Sequence, residues 1–139
     1  MNSITFDVPL PPTSLRANSR SHWALKKKHA DVYSRAVWGW AMDALASVRG
    51  MPWPAADVHY EWHYATTQPD EGNIPGNVKY LQDILCVAPV LPMEQAAVYK
   101  RTHLGIVEND RNVHPTYSMV KETRRAAQRV VVTVTERAI

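Results

Sequence analysis

A chain of 139 residues with 45% apolar content and a formal charge of +3 carries enough material for one ordinary core. No run approaches the ~20 consecutive apolar residues of a membrane span and the N-terminus lacks a secretory pattern, so neither membrane insertion nor export is expected and a cytoplasmic location is. The single cysteine, Cys86, excludes an internal disulfide and offers no zinc-ligand spacing, and it reads as a small buried apolar residue.

In chain order, Ile4 to Val8 alternates and stops at Pro9, Pro11 and Pro12, which predicts a short first strand. A polar loop over 13–21 follows. From His22 to about Val48 there is no proline, and apolar residues recur at helical spacing until Gly50 and Pro52, which predicts a long helix. Val58, Tyr60, Trp62 and Tyr64 alternate with His59, Glu61 and His63, the period of a strand with one buried face.

Residues 68–76, rich in Pro, Gly and Asn, are expected to be loop, and 78–87 reads as a helix that Asn73 or Asn77 caps. Pro89 and Pro92 break it, Met93 to His103 is expected to form another short helix, and Leu104 to Val107 leads into the turn Glu108-Asn109-Asp110. Val113–Val120 and Val130–Thr135 read as closing strands. The whole predicts an α+β fold in one domain: a small mixed or antiparallel sheet of about four strands, covered on one side by helices.

Charge is segregated along this order. Arg16, Arg20, Lys26, Lys27, Lys28 and Arg35 crowd the first quarter, Lys121, Arg124, Arg125 and Arg129 form a second basic group, and Asp70, Glu71, Asp83, Glu94, Glu108 and Asp110 fall between. A polyanion-binding surface beside an acidic metal site has this distribution, and so do faces charged only for solubility.

Asp70 at a strand end, Asn73, Lys79 with Asp83 one helical turn later, and Asp110 are costly groups unless used. Carboxylates held on different elements suit Mg²⁺, with Mn²⁺ as its substitute, because these ions take oxygen ligands and keep waters that a phosphate displaces. A nearby Lys supplies charge for a developing oxyanion. Lys79 and Asp83 also read as a surface pair at i,i+4, although the more stabilising order places the acid first.

Taken together, Asn18-Ser19-Arg20-Ser21-His22-Trp23 with the basic helix behind it, Asp70-x-x-Asn73, Lys79-x-x-x-Asp83 and Leu104-Gly105-Ile106-Val107-Glu108-Asn109-Asp110 resemble the RusA-type Holliday-junction resolvases, in their divergent phage-like form. The resemblance spans most of the chain. It implies a Mg²⁺-dependent endodeoxyribonuclease that cuts four-way and other branched DNA in recombination and repair, acting as a homodimer with no small-molecule cofactor and no membrane partner.

It further implies that Asp70, Lys79, Asp83 and Asp110 are catalytic and that Asp70 and Asp110 ligate metal. Asp83 or Glu108 is expected to complete the shell, because many members carry a further Asp where this chain has Gly72. Glu71 is a poor replacement if 70–72 is extended, since it then points to the other face. Arg16, Asn18, Arg20, His22, Trp23, Lys26, Lys27, Lys28 and Asn73 are expected to contact DNA, the cations chiefly through phosphates. The segment 86–103 has no counterpart in the family and reads as an insertion.

His59 and His63, four apart on a strand and thus ~13 Å apart, are too far from each other to share an ion and read as surface residues. Trp38, Trp40, Trp53 and Trp62 read as core. Two other classes remain open: a non-catalytic branched-DNA-binding module of the same fold with a decayed metal site, and a structural protein that binds its partner through 86–103.

Overall fold

The alternating segments become strands in the computed structural model, which describes residues 2–96 and 102–138. They are β1 (Ser3–Val8), β2 (Ala56–Tyr64), β3 (Val113–Lys121) and β4 (Arg129–Glu136), in the sheet order β1-β4-β2-β3. β4 is antiparallel to both β1 and β2, while β2 and β3 are parallel, so the sheet is mixed.

Register shows how the alternation is spent. Ile4, Val134 and Val58 form one row across the sheet, Phe6, Val132 and Tyr60 a second, and Val8, Val130 and Trp62 a third. All nine are buried. Residues of the opposite parity carry hydroxyls and charges: Thr5 Oγ1 meets Thr133 Oγ1 at 3.2 Å, and His59 bonds to Thr116 and Ser118.

The long helix α1 (Trp23–Ala46) starts at His22, whose Nδ1 accepts the Ala24 N–H. It buries Ala30, Tyr33, Val37 and Ala41, spaced three and four apart, and the Tyr33 hydroxyl donates to Pro9 O at 2.7 Å. Trp38 and Trp40 depart from the core expectation at 43% and 53% exposure, because they fall off that stripe. Trp53 and Trp62 are buried.

Two short helices replace the expected helix over 78–87: α2 (Ile74–Asn77) and α3 (Lys79–Leu85), separated at Val78. Part of the expected 68–76 loop is therefore helical, since Pro75 stands in the first turn, where a missing N–H costs nothing. Neither asparagine caps a helix through its side chain: Asn73 makes no cap bond, and Asn77 Oδ1 accepts the Ala17 N–H. Of the expected Met93–His103 helix, α4 (Met93–Ala96) is present, residues 97–101 lie outside the described residues, and Thr102 and His103 are not helical.

After β2 the chain crosses over through α2 and α3 and then runs along Leu104 to Val107 into β3. That last stretch is pinned by Leu104 N–H to Ile84 O, Ile106 N–H to Leu85 O and Glu108 N–H to Trp53 O. The end of α3 is thereby tied to the start of β2. Among the described residues, no helix is long and apolar enough to cross a membrane.

Candidate functional site

Because β2 and β3 are parallel, the chain leaves β2 at one end of the sheet and enters β3 at the other. Nine strand residues at a rise of about 3.3 Å separate the two ends by roughly 27 Å. Asp70 follows β2, Asp110 precedes β3, and α2 with α3 spans the interval. The acidic residues accordingly fall into two clefts.

The first cleft, about 410 Å³, is lined by Asp83, Cys86, His103, Glu108, Asn109 and Asp110 together with the apolar 87–89 turn. Three of the four expected metal ligands, Asp83, Glu108 and Asp110, are thus brought to one cavity. Asp83 comes from α3, while Glu108 and Asp110 come from the turn bonded to Trp53. Asn109 Oδ1 accepts the Arg111 N–H at 2.9 Å and caps a 3₁₀ turn, Asp110–Asn112, which presents Asp110.

The field in this cleft is negative. The Cys86 thiol is pushed up to about 11, first by burial and then by the charges of Asp110 and Asp83. Tyr60 is likewise held well above the ordinary phenol value, chiefly by burial, with Asp83 among the contributing charges. Lys79 opens α3 on its exposed side, one turn before Asp83.

Among the described residues, no three His, Cys, Asp or Glu side chains are grouped closely enough to hold a metal ion between them. The donor set nonetheless fits Mg²⁺, which is commonly held by one or two carboxylates, with water and substrate phosphate completing its shell. Hard carboxylate oxygens from separate elements are the donors present here.

The second cleft, about 290 Å³, holds Asp70 and Asn73, with Arg16, Trp62, Thr67, Asn77 and Gln128. Asp70 Oδ1 accepts the Gly72 N–H at 3.1 Å and caps the 3₁₀ turn Glu71–Asn73. The extended geometry that disqualified Glu71 by alternation is therefore absent, and Glu71 is exposed within that turn. Arg16 lies 5.2 Å from the Trp62 ring centroid and donates Nε–H to Pro11 O at 2.8 Å; burial draws its guanidinium below the ordinary value. Gln128 Oε1 accepts the Ala65 N–H at 2.9 Å, which ties the end of β2 to the start of β4.

The remaining expected DNA contacts lie around the start of α1. Asn18 turns the chain with φ 64°, Arg20, Lys27 and Lys28 are exposed, and Lys26 Nζ donates to Ser19 O at 3.2 Å. Trp23 is 72% exposed and packs at a tilt on His22, with ring centroids 5.5 Å apart.

Two features depart from the residue-level expectations. His63 is buried, not a surface residue: its Nδ1 lies 2.6 Å from Glu122 Oε1 and its Nε2 2.5 Å from Glu61 Oε1. Asn77, Thr67 and Gln128 were not singled out as site residues. Asn77 carried a signal, since a polar residue stands there on the same helical stripe as Ile74 and Leu81.

No model of a known protein family matches this chain, and no curated protein matches it either.

Proposed function

We propose that this protein is a Mg²⁺-dependent endodeoxyribonuclease that resolves branched DNA, including four-way junctions, by phosphodiester hydrolysis, with two copies making the paired cuts. The observation that carries this reading is the meeting of Asp83, Glu108 and Asp110 in one cleft from two separate parts of the chain. Carboxylates that face one cleft from separate elements suit a hard cation whose remaining positions are filled by water and substrate phosphate. The resemblance at Asn18–Trp23, Asp70–Asn73, Lys79–Asp83 and Leu104–Asp110 supports the choice of substrate.

A bound Mg²⁺ there supplies an activated water and neutralises charge on the phosphate. Asp83 and Asp110 would hold the ion, and Glu108, which lines the same cleft, would orient water. Lys79 offers an ammonium to a phosphate oxygen from the exposed side of α3. Arg20, Lys27 and Lys28 hold the backbone phosphates of an arm without reading its sequence. A four-way junction has two-fold symmetry, so a symmetric pair of protomers presents two equivalent cutting sites.

The split of the carboxylates between two clefts favours one second reading, a branched-DNA-binding module of the same fold that does not cut. One assay separates them: labelled four-way junctions are incubated with the protein, with and without Mg²⁺, and with Asp110→Asn. Nicks that need both Mg²⁺ and Asp110 support the nuclease. Tight binding without any cutting in Mg²⁺ or Mn²⁺ establishes the module, and no junction binding rejects both.

A further inference from the structure

The cleft beneath Arg16 is polar and not a second acidic site. It contains one cation and one carboxylate, Arg16 and Asp70, so its net charge is near zero. Its hydrogen-bonding capacity is largely unmet. The terminal nitrogens of Arg16 have no partner among the described residues, because only Nε donates, to Pro11 O. The Asn73 amide has none, and Asn77, only 6% exposed, uses its oxygen for the Ala17 N–H and leaves its amide nitrogen to the cleft.

We propose that this cleft is a subsite for one unstacked DNA base, an inference that rests on the branched-DNA reading above. Charge decides against the other components of DNA. Asp70 repels a phosphate, and a single carboxylate beside a guanidinium does not attract a divalent cation. A flat, neutral heterocycle with donors and acceptors on its edge matches a carboxylate, two amides and a hydroxyl at Thr67.

Arg16 supplies the stacking surface. Its guanidinium plane is already fixed by Trp62 on one side and by the bond to Pro11 O, and a base stacks on such a plane as it does on an aromatic ring. The volume, about 290 Å³, admits one heterocycle. Unstacking costs least where a nucleotide is already unpaired, so the subsite favours unpaired nucleotides over intact duplex. It is lined by residues other than those of the carboxylate cleft, so the captured base is not the nucleotide at the cut.

The test measures equilibrium binding in EDTA, so that cutting plays no part. Four-way junctions carry one unpaired nucleotide at successive positions from the crossover, each paired with a version lacking that base. The wild type is expected to prefer the base-containing form by about tenfold at one or two neighbouring positions, within the range for one stacked base. Arg16→Met, which keeps the apolar contact with Trp62, and Asn73→Ala are each expected to bring that ratio close to one, with thermal melts confirming the fold. A ratio of one at every position in the wild type, or an unchanged ratio in both variants, overturns the subsite and leaves the branched-DNA reading standing. Absence of binding to every junction overturns that reading, and the subsite falls with it.

Discussion

The imidazole Nδ1 of His63 lies 2.6 Å from Glu122 Oε1, an ionisable pair on the face of the sheet opposite the apolar rows. Glu61 Oε1 faces the other ring nitrogen at 2.5 Å, and Arg129 Nη1 approaches Glu122 at 3.5 Å. The hydrogen bond from His63 is the main cause that holds the Glu122 carboxyl below its ordinary value, and the His63 and Arg129 charges act in the same direction.

A carboxylate with a depressed folded-state pKa adds stability that is fully present above its unfolded value and is lost as pH falls through the folded one. For Glu122 the window therefore lies below the ordinary carboxylate range. Glu122→Gln is expected to melt at a lower temperature than the wild type at pH 7, and the gap should close as both are titrated toward pH 2. Equal gaps at both ends of the scan rule out the ionic cause.

The two-cleft arrangement makes a quantitative statement about metal binding. Asp83→Asn and Asp110→Asn are each expected to weaken Mn²⁺ binding by about tenfold or more, and the double variant should lose less than the product, because the two act on one ion. Asp70→Asn should leave the Mn²⁺ affinity within about twofold, as it lies at the other end of β2. Calorimetric titration of the four proteins decides this, and a loss at Asp70 equal to that at Asp110 would join the clefts.

Gly72 stands beside Asp70, where an added Cβ meets only Asp70 Oδ1, at 3.7 Å. Gly72→Asp is thus accommodated sterically and places a second carboxylate next to Asp70. It is expected to create a new Mn²⁺ equivalent in the same titration while leaving the original one unchanged. A tighter single site in place of two would show that position 72 feeds the Asp83–Asp110 cleft.

Three adjacent lysines are expected to differ. Lys27 and Lys28 are exposed, whereas Lys26 secures the loop before α1 through Ser19 O. Each phosphate contact adds about 0.9 to the slope of log affinity against log salt. The Lys27→Ala, Lys28→Ala pair should flatten the junction-binding slope by about 1–2 units, and Lys26→Ala should lower the melting temperature with little change in slope. A reversed pattern would place the phosphate contact at Lys26.

Gly76 packs directly under the loop that carries Arg16, and a Cβ there would come within 2.9 Å of Ala17 Cβ. Gly76→Ala is expected to cost about 1–3 kcal/mol in urea unfolding, as overpacking does. Gly39→Ala, with nothing within 4 Å of its added Cβ, serves as the control and should be neutral or stabilising.

Much of this architecture was legible because local rules sufficed. The proline-free run from His22 gave away α1, and alternating valines gave away β4. Pro75 misled because a proline breaks a helix interior but suits its first turn. His63 misled because alternation predicts which face a residue points to, not whether Glu61, Glu122 and Arg129 will cover it. The distance between Asp70 and Asp110 was illegible, since it follows from the parallel pairing of β2 with β3, and strand direction leaves no mark on either segment.

The fourth strand in chain order occupies the interior of the sheet, and that has a consequence for how the sheet closes. β1 touches the rest of the sheet only through β4, from Ser3 opposite Thr135 to Val8 opposite Val130. On the ribosome β1 and β2 have no strand between them until Arg129–Glu136 has emerged, so the nascent chain holds α1 and the β2–β3 crossover with an apolar seam open to solvent. Contacts across more than 120 residues are slow to close, so the pairing of β1 with β4 carries a large loop-closure cost.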